Sequence, residues 1–67
     1  MKRRKNKEDL LVIGQKIKHA RKIEKLTQSE VANKIKVTKA TISKWENGKT
    51  DPGAYIFMQI CNILKIN

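Results

Sequence analysis

A link of only three residues joins two short segments with helical spacing, and it limits how this chain can fold. The segments are residues 28–35 and 39–47, and the link is "KVT", residues 36–38. Two helices joined so closely cannot run antiparallel at full packing distance, so we expect them to cross steeply and approach closely. Small Ala32 faces this crossing, and the apolar contacts are expected from Val31, Ile35, Val37, Ile42 and Trp45.

The ends of these two helices carry capping residues. Thr27 and Glu30 have the S/T-x-x-E spacing of a capping box, with Leu26 and Val31 at the staple positions around it. Thr38 is expected to cap the next helix, and Gly48 follows Asn47 as a stop signal.

Two further helices flank this unit. The first is predicted to start at Asn6 and to end near Glu24 or Lys25; its inward positions are Leu10, Ile13, Ile17, Ala20 and either Ile23 or Glu24. Asp51 and Pro52 are predicted as the N-cap and first position of a fourth helix that ends near Lys65. Its apolar residues are Ile56, Phe57, Ile60, Cys61, Ile63 and Leu64. There is no strand candidate, so the sequence predicts an all-α domain over residues 8–67.

Charge is the strongest compositional signal. The 67 residues include 16 Lys or Arg against 6 Asp or Glu, a formal net charge of +10. The first 26 residues hold ten of the basic groups and three of the acids. This surplus favours a polyanionic partner, with nucleic acid first and an acidic membrane surface second. Residues 1–7, "MKRRKNK", are predicted to form a disordered basic arm.

The sequence gives little support for a membrane-spanning protein, a secreted protein or an enzyme. No apolar run approaches the ~18 residues that span a bilayer, and the N-terminus lacks a secretory h-region, so we expect a cytoplasmic protein. Cys61 is the only cysteine and is expected to be an inert buried thiol; His19 is expected to be solvated. No nucleophile–base pair, paired carboxylates or metal cluster appears, so neither an enzyme nor a cofactor or metal is expected.

The stretch "TKATISKWENG", residues 38–48, divides into two arcs when wound as a helix. Ile42 and Trp45 share an apolar arc with Thr41, and we expect Trp45 in the core. The polar arc holds Lys39, Ala40, Ser43, Lys44 and Asn47. The two lysines can donate to guanine or to phosphate, whereas Ala40 can touch only a thymine methyl group.

From about Ile13 to Asn67 the chain resembles the phage repressor and Cro-like, or XRE-type, helix-turn-helix domains. The segments "IGQKIKHAR", "LTQSEVANKI", "VTKATISKWENGKTDP" and "ICNILKIN" follow that family's order and spacing. The resemblance implies a lambda repressor-like bundle with four of the usual five helices and the motif at 28–47. Relatives usually continue into a fifth helix; the expectation is either a truncated domain or a minimal protein that dimerises weakly or only on DNA.

The resemblance also implies roles for individual residues. Base edges would face Lys39, Ala40, Ser43 and Lys44, and phosphates would be bound by Gln28, Thr38, Thr41, Asn47 and Lys49. Gln28 would also brace the recognition helix, the second helix of the motif. Lys36 stands where the family usually has glycine; it costs about 1 kcal/mol if its φ is positive, or serves as another phosphate contact. Arg21 and Glu46 match a salt bridge of the family, expected at the surface and worth under ~1 kcal/mol. Lysine-rich arms wrap the duplex in some relatives, a role that falls here to Lys2, Arg3, Arg4 and Lys5.

The function implied is a sequence-specific, double-stranded DNA-binding transcriptional regulator, expected to be a repressor of phage or prophage/bacterial type. Its operator would be pseudo-palindromic, bound by a homodimer formed in solution or only on DNA. Two alternatives keep the same fold: the antitoxin of a toxin–antitoxin pair and a restriction–modification controller protein. A third, from another class, is a basic amphipathic protein of the membrane surface.

Overall fold

The computed structural model describes residues 6–65 as a bundle of four helices. They are α1 (Lys7–Ile23), α2 (Gln28–Ile35), α3 (Lys39–Glu46) and α4 (Ala54–Leu64). No strand occurs within 6–65, which confirms the all-α prediction. Helix α1 begins at Lys7, the last residue of the segment predicted as an arm; residues 2–5 of that arm lie outside the described part.

Side-chain caps begin the first three helices. Thr27 Oγ1 accepts from the Glu30 amide at 3.1 Å, and Glu30 Oε1 accepts from the Thr27 amide at 2.8 Å, so the capping box is confirmed. Asn6 and Asp9 form a second such box at the start of α1. Thr38 Oγ1 accepts from the Thr41 amide at 3.1 Å, as its predicted role requires. The hydrogen bond from the Thr27 amide, which favours the carboxylate, lowers the pKa of Glu30.

The predicted start of α4 is wrong. Asp51 and Pro52 precede the helix, and Gly53 is its N-cap, with a φ of 84° and no side-chain cap. Asp51 Oδ1 accepts from the Gly53 amide at 2.9 Å. The Asp51 carboxylate therefore closes a turn that precedes α4. It does not cap the helix, because it lies two residues before the N-cap, Gly53.

Lysines with positive φ follow three of the helices. The φ angles are 59° at Lys25, 60° at Lys36 and 56° at Lys65, whereas α3 is followed by Gly48 at 70°. Beyond Lys36, the Val37 amide donates to the Ala32 carbonyl at 2.9 Å, which closes the end of α2. Lys36 therefore keeps the left-handed conformation in which the family usually has glycine, at a cost of roughly 1–2 kcal/mol for a residue with a Cβ.

The core lies where α1 and α2 pack on α3, with α4 against α1 and α2. Trp45 is 7% exposed, which confirms that it belongs to the core. Of the two residues offered for the last inward position of α1, Ile23 is 63% exposed and Glu24 is half-buried, which favours Glu24. The expectation that Cys61 is buried fails, because it is only half-buried. None of the four described helices is long and apolar enough to cross a bilayer. The buried apolar residues are Ile17, Val31, Ala32, Ile42, Trp45, Ile60 and Leu64.

Candidate nucleic-acid interface

The crossing of α2 and α3 is built from the residues that the sequence predicts. Val31 and Ile42 are fully buried and Ala32 is 3% exposed. Ile35 and Val37 are half-buried and pack against the same core. Because Ala32 carries only a methyl group, the two helices can approach closely here. The crossing holds one side of α3 in the core and leaves the other side outside it.

The outer side of α3 is polar and carries no free acid. Lys39, Ala40, Lys44 and Asn47 are exposed and Ser43 is half-buried, so the two predicted arcs are confirmed. Lys49, just beyond the helix, is exposed as well. Glu46, the only acid of α3, is 3% exposed and turned into the protein. The exposed arc of α3 therefore has a net positive charge.

Short polar side chains along α3 are already hydrogen-bonded to one another. The hydroxyl oxygens of Thr38 and Thr41 lie 2.8 Å apart, and either can be the donor. Asn47 Nδ2 donates to Ser43 Oγ at 3.3 Å. These bonds limit the rotamers of four side chains on or beside the exposed arc. They leave acceptor and donor positions that a phosphate or a base edge can use.

Arg21 and Glu46 form a buried ion pair that joins α1 to the end of α3. Arg21 Nε donates to Glu46 Oε2 at 2.6 Å, and Arg21 Nη2 donates to Oε1 at 3.1 Å. The remaining nitrogen, Nη1, donates to the Leu26 carbonyl at 2.9 Å. The two side chains are only 11% and 2% exposed, so the expectation of a surface pair is wrong. Removing one partner of a buried pair typically costs ~3–5 kcal/mol, not under 1.

Gln28 joins the same network. Its Nε2 donates to Glu46 Oε1 at 3.0 Å, so one carboxylate receives hydrogen bonds from α1 and from the first residue of α2. The family resemblance implies that Gln28 braces the recognition helix, and this bond ties Gln28 to the last residue of that helix. The sequence does not identify Glu46 as the partner, because eighteen positions and a helix crossing separate the two residues. No buried side-chain nitrogen or oxygen in the described residues lacks a hydrogen-bond partner.

Gly14 is a second feature that reasoning from the sequence missed. It is buried in the middle of α1, against the carbonyl groups that end α3. An isolated glycine inside a helical pattern is a weak signal of close packing, and the sequence carries that signal here.

Within residues 6–65 no group of three or more His, Cys, Asp or Glu side chains could hold a metal ion.

Comparison with known proteins agrees with this geometry. A family described as "helix-turn-helix domain" matches residues 14–67. The chain is also 31% identical over 55 residues to the HTH-type transcriptional regulator DicA of Escherichia coli (strain K12). That alignment covers 82% of this chain but only 41% of DicA, so the chain spans less than half the length of this relative. No solved structure gives a significant match. The match over residues 14–67, together with the crossing of α2 and α3, places the chain in the XRE-type helix-turn-helix family.

Proposed function

We propose that the chain is a sequence-specific, double-stranded DNA-binding transcriptional regulator that reads the major groove with α3. One observation carries this proposal: the exposed arc of α3 is polar and cationic, while its apolar arc and its single acid are buried. A helix held by one side and basic on the other suits insertion into a groove lined by phosphates.

In this proposal base edges are read by Lys39, Ala40, Ser43 and Lys44. Three of these residues are exposed and Ser43 is half-buried, at positions that share one side of the helix. The lysines donate to guanine O6 and N7, and Ala40 packs on a thymine methyl group. Ser43 Oγ, which accepts from Asn47, keeps its own hydrogen for a base or a phosphate.

Phosphates on either side of the groove are bound by a second set of residues. Gln28 already donates one amide hydrogen to Glu46, so a phosphate would take its other hydrogen or its backbone N–H. Thr38 and Thr41 lie at the positive end of the α3 dipole, which favours an anion. The whole set is Gln28, Lys36, Thr38, Thr41, Asn47 and Lys49, and the basic arm of Lys2, Arg3, Arg4 and Lys5 adds further phosphate contacts.

More specifically, the proposed regulator is a repressor of phage or bacterial type that acts in the cytoplasm on a pseudo-palindromic operator. The family match supports it, and so does the similarity to DicA, a transcriptional regulator. The protein binds as two copies, one for each half-site, which assemble in solution or on the operator.

Selection of bound duplexes from a random pool tests the proposal. We expect enrichment of one sequence with two symmetric half-sites whose centres lie about 10 base pairs, one turn of the duplex, apart. The matched control is the Lys39→Ala/Lys44→Ala double variant, which keeps Ile42 and Trp45 and should enrich no sequence. Retention of all duplexes in equal proportion by the unaltered protein would contradict sequence-specific reading.

A further inference from the structure

One edge of α1 contacts the C-terminal end of α3 at three points. The residues are Leu11, Gly14 and Arg21, whose spacings of three and seven residues put them on one side of the helix. Leu11 lies against Gly48, Gly14 against the main chain of Trp45 and Glu46, and Arg21 against the Glu46 carboxylate. None of the three belongs to the set that we assign to DNA contact.

The middle contact leaves no room for a side chain. A Cβ added at Gly14 would overlap the Trp45 carbonyl oxygen and would lie 2.6 Å from the Glu46 carbonyl oxygen. It would also lie 2.9 Å from the Glu46 carbonyl carbon. All three obstacles are main-chain atoms, which cannot rotate away as a side chain would. Any residue larger than glycine must therefore push the end of α3 away from α1.

At the Leu11 contact the roles of the two elements are exchanged: the glycine, Gly48, lies beyond α3, and the atoms close to it belong to α1. A Cβ at Gly48 would lie 2.8 Å from Leu11 Cδ2 and 3.1 Å from Leu11 Cα. Gly48, the second residue after α3, is thus in close contact with α1, just as Gly14 is in close contact with the end of α3. Gly14 in α1 and Gly48 after α3 therefore define how closely α1 and the end of α3 approach, together with the buried Arg21–Glu46 ion pair.

We propose that Gly14 is a positioning residue for base reading: with Leu11 and Arg21, it sets how far the C-terminal half of α3 projects from the domain. The proposal rests on the function proposed above, because it concerns the same helix. Ser43 and Lys44 lie in that half, and Asn47 follows it directly. Hydrogen bonds to base edges weaken steeply when a donor moves out of its narrow distance range, whereas lysine contacts with phosphate tolerate displacement.

The test compares two glycine-to-alanine variants. Gly14→Ala introduces the clash; Gly53→Ala is the matched control, since Gly53 has a positive φ of 84° but no atom within 4 Å of an added Cβ. Both variants should lose stability, so affinities are compared at temperatures that give equal folded fractions. We expect the ratio of affinity for the selected operator to affinity for random DNA to fall about tenfold or more in Gly14→Ala, as for removal of one base-discriminating hydrogen bond. It should stay within about twofold in Gly53→Ala.

A second readout needs no DNA. Residual dipolar couplings of the backbone amides report the orientation of α3 relative to α2 and α4 in the free protein. We expect this orientation to change in Gly14→Ala and to stay the same in Gly53→Ala. If the unaltered protein selects no duplex, the proposed function fails, and the couplings alone still decide whether Gly14 positions α3.

Leu11→Ala decides the question if Gly14→Ala does not fold. Leu11 is 39% exposed, so its truncation should leave a folded protein. We expect the couplings of α3 to change in this variant and the affinity ratio to fall by at least about threefold, less than for Gly14→Ala because no clash is created. The proposal would be overturned if every α1 variant that folds gave the same residual dipolar couplings and the same affinity ratio as the unaltered protein.

Discussion

Gln28 Nε2 donates a hydrogen bond to Glu46 Oε1 over 3.0 Å, and this bond joins the first residue of α2 to the last residue of α3. The same carboxylate receives two hydrogen bonds from Arg21. A residue assigned to phosphate binding therefore shares one acceptor group with the ion pair that holds α3. Phosphate binding at Gln28 and the position of α3 should depend on each other.

Glu46→Gln should destabilise the domain by about 3 kcal/mol, because it leaves the largely buried Arg21 guanidinium without its counter-charge. Chemical denaturation followed by circular dichroism measures the loss. Glu8→Gln, at an exposed acid in the first turn of α1, should cost less than ~1 kcal/mol. A loss no larger at Glu46 than at Glu8 would mean that the pair behaves as a solvated surface pair.

Lys36→Gly should stabilise the protein by about 1 kcal/mol, since glycine adopts the left-handed conformation there without steric cost. Lys25→Gly makes the same change at the end of α1 and should give a similar gain. The two variants should differ on DNA. If Lys36 binds a phosphate, its removal lowers the slope of log K against log salt by ~0.9, and Lys25→Gly leaves the slope unchanged. Equal slopes would remove Lys36 from the phosphate set.

Lys39→Ala and Lys44→Ala should each weaken binding to the operator by ~1–3 kcal/mol and binding to random DNA by much less. Competition binding at one fixed salt concentration measures both affinities. Lys22→Ala removes an exposed lysine from α1 and should affect the two duplexes equally. If Lys39 and Lys44 behave as Lys22 does, they contact phosphates and do not read bases.

Deletion of residues 2–5 should lower the salt slope by up to ~0.9 for each phosphate that the arm neutralises, with little change in the sequence selected. The Asn6–Asp9 capping box remains in the shortened chain, so its thermal stability should stay close to that of the full chain. A slope equal to that of the full chain would contradict a DNA-binding role for the arm.

The pKa of Glu30 predicts a small acid-dependent loss of stability. Its lowered value arises from the hydrogen bond with the Thr27 amide, so folding favours the ionised carboxylate. That stabilisation is complete above the ordinary value of 4.5 and disappears as the pH falls through the lowered pKa of the folded state. We therefore expect the free energies of unfolding of the unaltered protein and of Glu30→Gln, measured by chemical denaturation at several pH values, to become equal in acid. Parallel pH profiles would contradict the assignment.

Local signals in the sequence predicted local structure well. Thr27, Glu30 and Thr38 satisfy amides within three residues of themselves, so their spacing alone identifies the helix starts. The arcs of α3 follow equally from the helical period. Asp51 misled because an Asp-Pro pair suits both a cap and a turn, and the choice depends on the conformation of Gly53.

Contacts between helices were harder to predict. The burial of Glu46 depends on three segments meeting, and nothing in its neighbouring residues distinguishes it from a solvated acid. Gly14 is similar: its role depends on the carbonyl groups of a helix about thirty positions away. Only the resemblance to a family indicated the Arg21–Glu46 pair and a bracing role for Gln28. It indicated neither that Gln28 shares the Glu46 carboxylate nor that the pair is buried.

The network around Glu46 has a consequence for the thermodynamics of association. Because Arg21 and Gln28 hold the last turn of α3 from two other helices, that turn cannot fray without breaking three hydrogen bonds. The backbone of α3 is thus ordered when the domain folds, before any duplex arrives. The conformational entropy lost on complex formation should then come from the flexible lysine side chains rather than from the helix that carries them.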